Sequence, residues 1–402
     1  MKFLRLNPAV LVIFSGMVAA IHIGKIPAAI PVLRDSMGMT LVEAGFLLSI
    51  MQLAGMTLGV LIGVAADTVG LRRSVISGQL ILTFASFAGL WARQPADLLV
   101  LRGFEGLGFL LVVLPAPSLI RQLVPFGQLA RYLGLWGTYM ASGTSLALLC
   151  APFVMSLIGW SGLWVLLAAL SLLMVLWLLA WVPSERQRQA HKPAGGMQTV
   201  AAGAWWATIR LTLSSKEPWR VALVFSMYSS QWLSVIGFLP AIYAQAGLSG
   251  QTAGALTALA CFANVTGSVA AGRLLHRGVC ARHLLYVGFV SMAVTTALAF
   301  GQWTQDAPTL RYLAVVLFSA IGGMIPGALF SLAVHVAPSE RAVSTTVGWM
   351  QQCSSTGQFL APPGVAWIAA QAGGWHWTWV ATGCTSLIGL LLAKGVTFKA
   401  QK

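Results

Sequence analysis

Apolar runs of about 20 residues recur from one end of this sequence to the other, parted by short polar turns, and each can cross the hydrocarbon core of a bilayer as an α-helix. They lie near residues 9–33, 41–64, 74–92, 97–119, 129–157, 161–182, 220–244, 252–274, 283–303, 310–334, 343–369 and 375–393. A soluble fold cannot use them. Of 402 residues 58% are hydrophobic and only 8% charged, too little polar surface to enclose a core of that size. Within lipid each segment must satisfy its own backbone polar groups, which leaves helices as the solution for runs of this length. The sequence predicts an all-α integral membrane protein with twelve transmembrane helices.

The formal net charge of +15 follows from topology rather than from a nucleic-acid-binding face, for which the chain has no soluble surface. With a cytoplasmic amino terminus and twelve spans, most of the 24 Lys and Arg residues fall in cytoplasmic segments. External segments receive Arg34, Arg93 and Arg311, and Lys25 and Arg102 remain within spans. That is the positive-inside bias of a multi-pass cell-membrane protein, with a bacterial inner membrane as its setting and both termini cytoplasmic. The basic start and first apolar run are too long for a cleaved signal and are interrupted by His22 and Lys25, so they read as a retained first span. Cys150, Cys261, Cys280, Cys353 and Cys384 have no paired spacing and read as packing residues. The sequence has no phosphate-cradling loop with Lys and Ser/Thr, no metal-spaced ligand cluster and no activated nucleophile. An enzyme, a nucleotide-driven pump, a metal site and a cofactor are not expected.

One connection is long. Residues 183–219 carry Pro183, Glu185, Arg186, Arg188, His191, Lys192, Pro193 and Gly195-Gly196, a basic, turn-rich composition. This linker divides the chain into a six-helix bundle over 1–182 and a second over 220–402. Ala201–Leu213, with Trp205, Trp206 and Arg210, is expected to lie in part as a helix on the membrane surface. The two halves echo one another: Gly159-Trp160-Ser-Gly-Leu-Trp164 opens the sixth run, and Gly374-Trp375-His-Trp-Thr-Trp379 opens the twelfth. The turn Gly63-Val-Ala-Ala-Asp67-Thr-Val-Gly70-Leu-Arg72-Arg73 follows the second run, and Gly272-Arg-Leu-Leu-His276-Arg277-Gly278, with Arg282 beyond it, follows the eighth. Echoes in register with the hydropathy pattern predict a duplicated, pseudo-symmetric architecture.

Charges inside the spans are the first functional candidates. Placing Arg at mid-membrane costs roughly 2.5–3.5 kcal/mol on the lenient insertion scale, so Arg102 needs a partner or a purpose. Glu105 shares its helical face. The two either neutralise each other and grip backbone carbonyls or take part directly in binding substrate or a proton. His22 and Lys25 share a face of the first run, with Lys25 around 12 Å from the helix end at 1.5 Å per residue. Lys25 either snorkels toward the interface or faces a water-filled central cavity. His22 either bonds to a neighbouring helix or handles protons. Lys25 and Arg102 against Glu105 leave one surplus positive charge, which favours an anionic solute, and Glu105 is the natural coupling site if protons move with it.

Polar stripes add further candidates. Gln351, Ser355, Gln358 and Pro362 follow one helical face of the eleventh run, and Tyr228, Gln231 and Trp232 one face of the seventh. They either line a path or hydrogen-bond between helices. Tyr139 in the fifth run is open in the same way, while Gln52, Gln79 and Asn264 are taken as packing residues.

The turn from Gly63 to Arg73 resembles the loop between the second and third spans of the major facilitator superfamily of secondary transporters. The family pattern is Gly, three residues, Asp, Arg, any residue, Gly, then basic residues; here Thr68 stands where the family has Arg. Leu101-Arg102-Gly-Phe-Glu105-Gly106-Leu-Gly108 resembles a second family motif at the start of the fourth span. The resemblance covers nearly the whole chain. It implies a midplane binding site between two rocking bundles, with Gly63, Asp67, Gly70, Arg72 and Arg73 as a cytoplasmic gate that does not touch substrate. The fifth span lacks the Gly-rich run with Gly-Pro of drug antiporters, having only Gly137, Gly143 and Ala151-Pro152, and Gly24-Lys25-Ile-Pro27-Ala-Ala-Ile-Pro31 is similar to the cyanate-permease and nitroimidazole-transporter branch. The expected function is that of a monomeric, proton-linked transporter of a small organic anion. Its alternatives are a proton-antiport exporter of drug-like or amphipathic compounds and a nontransporting membrane receptor.

Overall fold

A computed structural model of the chain describes residues 7–125, 128, 132, 135–185, 204–339 and 342–396, and for 63–69, 204, 205, 334 and 344 it describes the backbone alone. The part of the linker over 186–203 and the side chain of Asp67 lie outside the described residues, and of Gly63 only the backbone is described.

The first run is helix α1, Pro8–Met37. Asn7 caps it by accepting from the Ala9 N–H at 2.9 Å, Pro8 takes a position whose N–H needs no partner, and Gly38 ends it at φ 63°. The second run divides into α2, Leu41–Ser49, and α3, Gln52–Val69. It is followed by α4, Leu71–Ala88, α5, Pro95–Val113, and α6, Ala116–Leu123. The fifth and sixth runs form one helical element, α7, Tyr139–Trp181, broken at Gly159, where φ is 70° and ψ 175°. At 43 residues an unbroken helix would be about 65 Å long, twice the thickness of the hydrocarbon core.

Part of the linker is helical, as α8, Ala204–Ser214. Then come α9, Lys216–Gln245, α10, Gly250–His276, α11, Ala281–Phe300, α12, Pro308–Gly322, α13, Met324–Val336, α14, Val343–Gln371, and α15, Thr378–Lys394. Among the described residues nine helices are long and apolar enough to cross a membrane. The element broken at Gly159 counts once in that number. Three helices fall outside it: the short linker helix α8, α14, whose Gln, Ser and Thr content lowers its hydropathy, and the short α15.

Large apolar side chains point outward, with Phe84, Leu157, Leu360 and Leu391 each more than 60% exposed, a surface suited to lipid rather than water. Small residues let the helices close up within each half. A side chain at Gly24 would meet Thr144 and Ala147 of α7, one at Gly106 the Met51 carbonyl, and one at Gly108 the Gly78 carbonyl of α4. The halves meet along α2, α3 and α14, where Gly45 lies on Pro362 and Pro363, Gly55 on Ser355 and Gly59 on Gln352. They meet again where Gly254 of α10 lies on Leu148 and Pro152 of α7.

The sequence echoes extend to the backbone. Gly70 and Gly278 in the paired turns have φ 106° and 86°, and Gly159 and Gly373 before the paired aromatic runs have φ 70° and 69°. Only glycine adopts this left-handed region without strain.

Candidate functional site

Four helices of the first half bring one carboxylate against three basic side chains. His22 and Lys25 come from α1, three residues apart and so on one face, and Arg102 and Glu105 stand in the same relation on α5. The small residues set their approach: Gly106 brings α5 onto Met51, Gly78 and Gly108 close α4 on α5, and Gly24 seats α1 on α7. His22 and Lys25 are 0% exposed, and Arg102 and Glu105 2%.

The Lys25 ammonium donates to Glu105 Oε1 and to Ser86 Oγ of α4 at 2.9 Å. Ser86 Oγ–H in turn donates to Glu105 Oε1 at 2.8 Å. Arg102 Nη1 donates to Glu105 Oε2 at 2.6 Å and to the His22 carbonyl at 2.6 Å, while Nε reaches the Leu47 carbonyl at 3.4 Å. His22 lies between two hydroxyls, with Nε2 2.9 Å from Ser171 Oγ of α7 and Nδ1 3.1 Å from Ser86 Oγ. Which nitrogen carries the proton depends on the tautomer. The indole of Trp164 closes the site, its ring centroid 4.4 Å from Lys25 Nζ, a cation–π contact in a desolvated setting.

Both oxygens of Glu105 are thus satisfied by charged donors, which is what a buried carboxylate requires. With the imidazole counted as neutral, two cations share one anion. Among the described side chains Glu105 is the one buried carboxylate. The gap beside the cluster, lined by Ile26, Leu47, Leu98, Leu101, Arg102, Glu105 and Trp164, is too small to admit water.

This arrangement corrects one expectation. Lys25 neither snorkels nor faces a water-filled cavity: it is 0% exposed and held by Glu105 and Ser86 beside a gap that admits no water. Trp164 is 2% exposed and stacks edge-on with Trp160 at 5.5 Å. Ser86 and Ser171 carry no signal in the sequence: serine is common in membrane helices, and no periodicity marks these two.

The remaining candidates lie elsewhere. Tyr139 is half-buried on α7 and stacks on Trp136 at 4.3 Å beside Gly16 of α1. Tyr228 accepts from Asn264 Nδ2 at 2.8 Å, Trp232 donates to Ser319 Oγ at 3.2 Å, and Gln231 accepts from Ser386 at 3.0 Å. These bonds knit α9 to α10, α12 and α15 inside the second half. Gln351 is half-buried on α14. Ser355 donates to Gln52 Oε1 at 3.3 Å, Gln52 donates to Gln358 Oε1 at 3.3 Å, and Gln358 donates to Ser354 Oγ at 3.0 Å. That chain is a polar seam across the two halves. Gln52 and Asn264, taken as packing residues, are the hubs of these two networks.

At the turn after α3, Gly70 opens α4 next to Glu185, whose Oε1 accepts from the Arg72 N–H at 2.9 Å and the Arg73 N–H at 3.4 Å. A carboxylate at a helix N-terminus is favoured by the unpaired N–H groups and the helix dipole. The Arg72 guanidinium donates to the Leu179 carbonyl at 2.9 Å and the Leu178 carbonyl at 3.4 Å, near the carboxyl end of α7, where a cation is favoured for the converse reason. These contacts stay within the first half.

An apolar exterior, helices of membrane-crossing length and a charge cluster sealed among them define a multi-pass membrane protein. The chain belongs to the Major Facilitator Superfamily, whose family model matches residues 10–362. It is 27% identical to the 4-hydroxybenzoate transporter PcaK of Pseudomonas aeruginosa, over 86% of this chain and 81% of that one. It is 24% identical to the 2-nitroimidazole transporter of Escherichia coli, over 79% of this chain and 78% of that one. Its fold is similar to a crystal structure of a bacterial homolog to the human lysosomal transporter Spinster in an inward-facing, occupied conformation, with TM-score 0.80, 14% identity and coverage of 96% and 95% of the two chains. Family and relatives together make the chain a membrane transporter and not an enzyme.

Proposed function

We propose that the protein is a secondary active transporter that moves a small organic anion by alternating access, linked to protons through Glu105. The observation that carries the reading is the sharing of Glu105 by Lys25 and Arg102, both buried, with a net positive charge. A carboxylate that takes up a proton weakens its hold on both cations, and an incoming anion then has two desolvated partners. Substrate and proton thereby bias the same element, the requirement for coupling. The name of one relative, the 4-hydroxybenzoate transporter, supports a carboxylate as cargo.

In this reading twelve spans form two six-helix bundles, 1–182 and 220–402, with the linker and both termini cytoplasmic. Lys25, Arg102 and His22 hold the solute from the first bundle, and Tyr139, Tyr228, Gln231, Trp232, Gln351 and Ser355 complete the path. Gly63, Asp67, Gly70, Arg72 and Arg73 form the cytoplasmic gate, so Asp67→Asn is expected to raise the inward accessibility of a cavity cysteine. A second reading, proton-antiport export of drug-like compounds, has in its favour the relative named for a nitroimidazole. Uptake and efflux of 4-hydroxybenzoate and of 2-nitroimidazole in proteoliposomes, with and without an imposed pH gradient, separate the two. The anion reading requires accumulation of the carboxylate toward the alkaline side, and gradient-driven extrusion of the nitroimidazole alone would replace it with the exporter reading.

A further inference from the structure

Away from the charge cluster, a cavity of about 240 Å³ opens between α3, the linker helix α8 and the first turns of α14. Thr57, Val60 and Leu61 line it from α3, Ile209 and Leu213 from α8, and Trp349 from α14. Its mouth is apolar and open to the exterior, since Leu61 is 47% exposed and Trp206, also on its wall, 58%. Two buried polar atoms on this stretch of α14, Trp349 Nε1 and Thr346 Oγ1, have no hydrogen-bond partner among the described residues. A buried indole N–H without an acceptor is costly and ordinarily finds one. Arg210 of α8 and Lys216 at the start of α9 are exposed and outside any ion pair among the described residues.

We propose that this cavity is a binding site for one anionic phospholipid. An acyl chain enters past Leu61 and Trp206, a glycerol-ester carbonyl accepts from the Trp349 indole, and Arg210 and Lys216 hold the phosphate headgroup. Each part answers a feature of the site. The apolar mouth and outward-facing tryptophan suit a chain entering from the bilayer, the unpaired N–H calls for a neutral acceptor at intermediate depth, and the two cations call for an anion at the surface. A free fatty acid supplies the chain and the charge but no ester carbonyl between them. Because α8 and α14 share the cavity, the lipid ties the linker to the seam between the halves.

The test is native mass spectrometry of the full chain released from detergent in the presence of phosphatidylglycerol, phosphatidylcholine or oleate. The expected result is one retained phosphatidylglycerol, held more tightly than either competitor. Arg210→Gln with Lys216→Gln weakens it by about fivefold per charge removed. Leu61→Trp, which narrows the mouth at an exposed position, displaces it without lowering the unfolding temperature. Equal retention of phosphatidylglycerol and phosphatidylcholine overturns the proposal. So does a phosphatidylglycerol adduct that needs the two cations but ignores Leu61→Trp, because the headgroup is then bound with no chain in the cavity. Preferential retention of oleate overturns the ester-carbonyl assignment and with it the choice of a phospholipid.

Discussion

Lys25 and Glu105, 80 residues apart in the chain, meet as an ion pair in which the lysine is 0% and the carboxylate 2% exposed. Neither charge is reached by water, so each stands on the other and on the groups that share it, Arg102, Ser86 and Trp164.

Removing one partner of such a pair leaves a buried charge uncompensated. Glu105→Gln is expected to destabilise the protein by about 3–5 kcal/mol, and Lys25→Met by less, because Arg102 continues to pair with Glu105. In the double variant Lys25→Met, Glu105→Gln the losses do not add, since the two residues belong to one network. Thermal unfolding in detergent checks this, and additive losses would show that the pair is not coupled.

Trp164 and Ser86 are the uncharged supports of Lys25. Ser86→Ala removes an acceptor from the ammonium and a donor from the carboxylate and is expected to cost about 1–3 kcal/mol. Ser86→Thr, which keeps the hydroxyl, restores most of that loss where its methyl group fits. Equal unfolding temperatures for Ser86→Ala and the parent protein would mean that the hydroxyl bears no part of the burden.

Two glycines three residues apart on α5 separate close packing from mere helix composition. A side chain at Gly106 runs into the Met51 carbonyl, whereas one at Gly103 meets nothing within 4 Å. Gly106→Val is therefore expected to cost about 1–3 kcal/mol or more through overpacking, and Gly103→Ala to raise stability by up to about 1 kcal/mol through the helix propensity of alanine. Reversal of this order in unfolding temperature would overturn the packing described for α5.

The amino terminus of α4 depends on Glu185, from beyond the end of α7. Glu185→Ala is expected to cost about 1 kcal/mol as a lost cap, and Glu185→Gln less, since the amide oxygen still accepts from the Arg72 N–H. Hydrogen exchange at Arg72 and Arg73 reads the effect directly; unchanged protection in Glu185→Ala would show that water replaces the carboxylate without loss.

The helices were legible because hydrophobic runs bounded by Gly, Pro and polar turns leave few alternatives in a membrane. The charge cluster was legible in part: the cost of burying Lys25, Arg102 and Glu105 marked each of them, and the spacing of each pair set its face. What spacing along one helix cannot convey is which faces meet. Gly24, Gly78, Gly106 and Gly108 decide that by allowing close approach, and ordinary membrane-helix composition hides them. Ser86 and Ser171 carry no mark in the sequence, and Gln52 and Asn264 read there as packing residues, for the same reason: they are polar groups whose significance lies in partners many residues away. For Lys25 the sequence offers snorkelling or a water-filled cavity, and the pairing with Glu105 is neither, because surroundings depend on packing.

Gradient-driven uptake by Glu105→Gln, set beside counterflow exchange in the same proteoliposomes, tests the central claim most directly. With 4-hydroxybenzoate as the probe, the parent protein is expected to accumulate it in response to an inwardly directed proton gradient. Glu105→Gln is expected to lose that accumulation while still exchanging internal for external solute, since a neutral side chain mimics the protonated carboxylate. Accumulation by Glu105→Gln equal to that of the parent protein, with the same dependence on the pH gradient, would contradict the account.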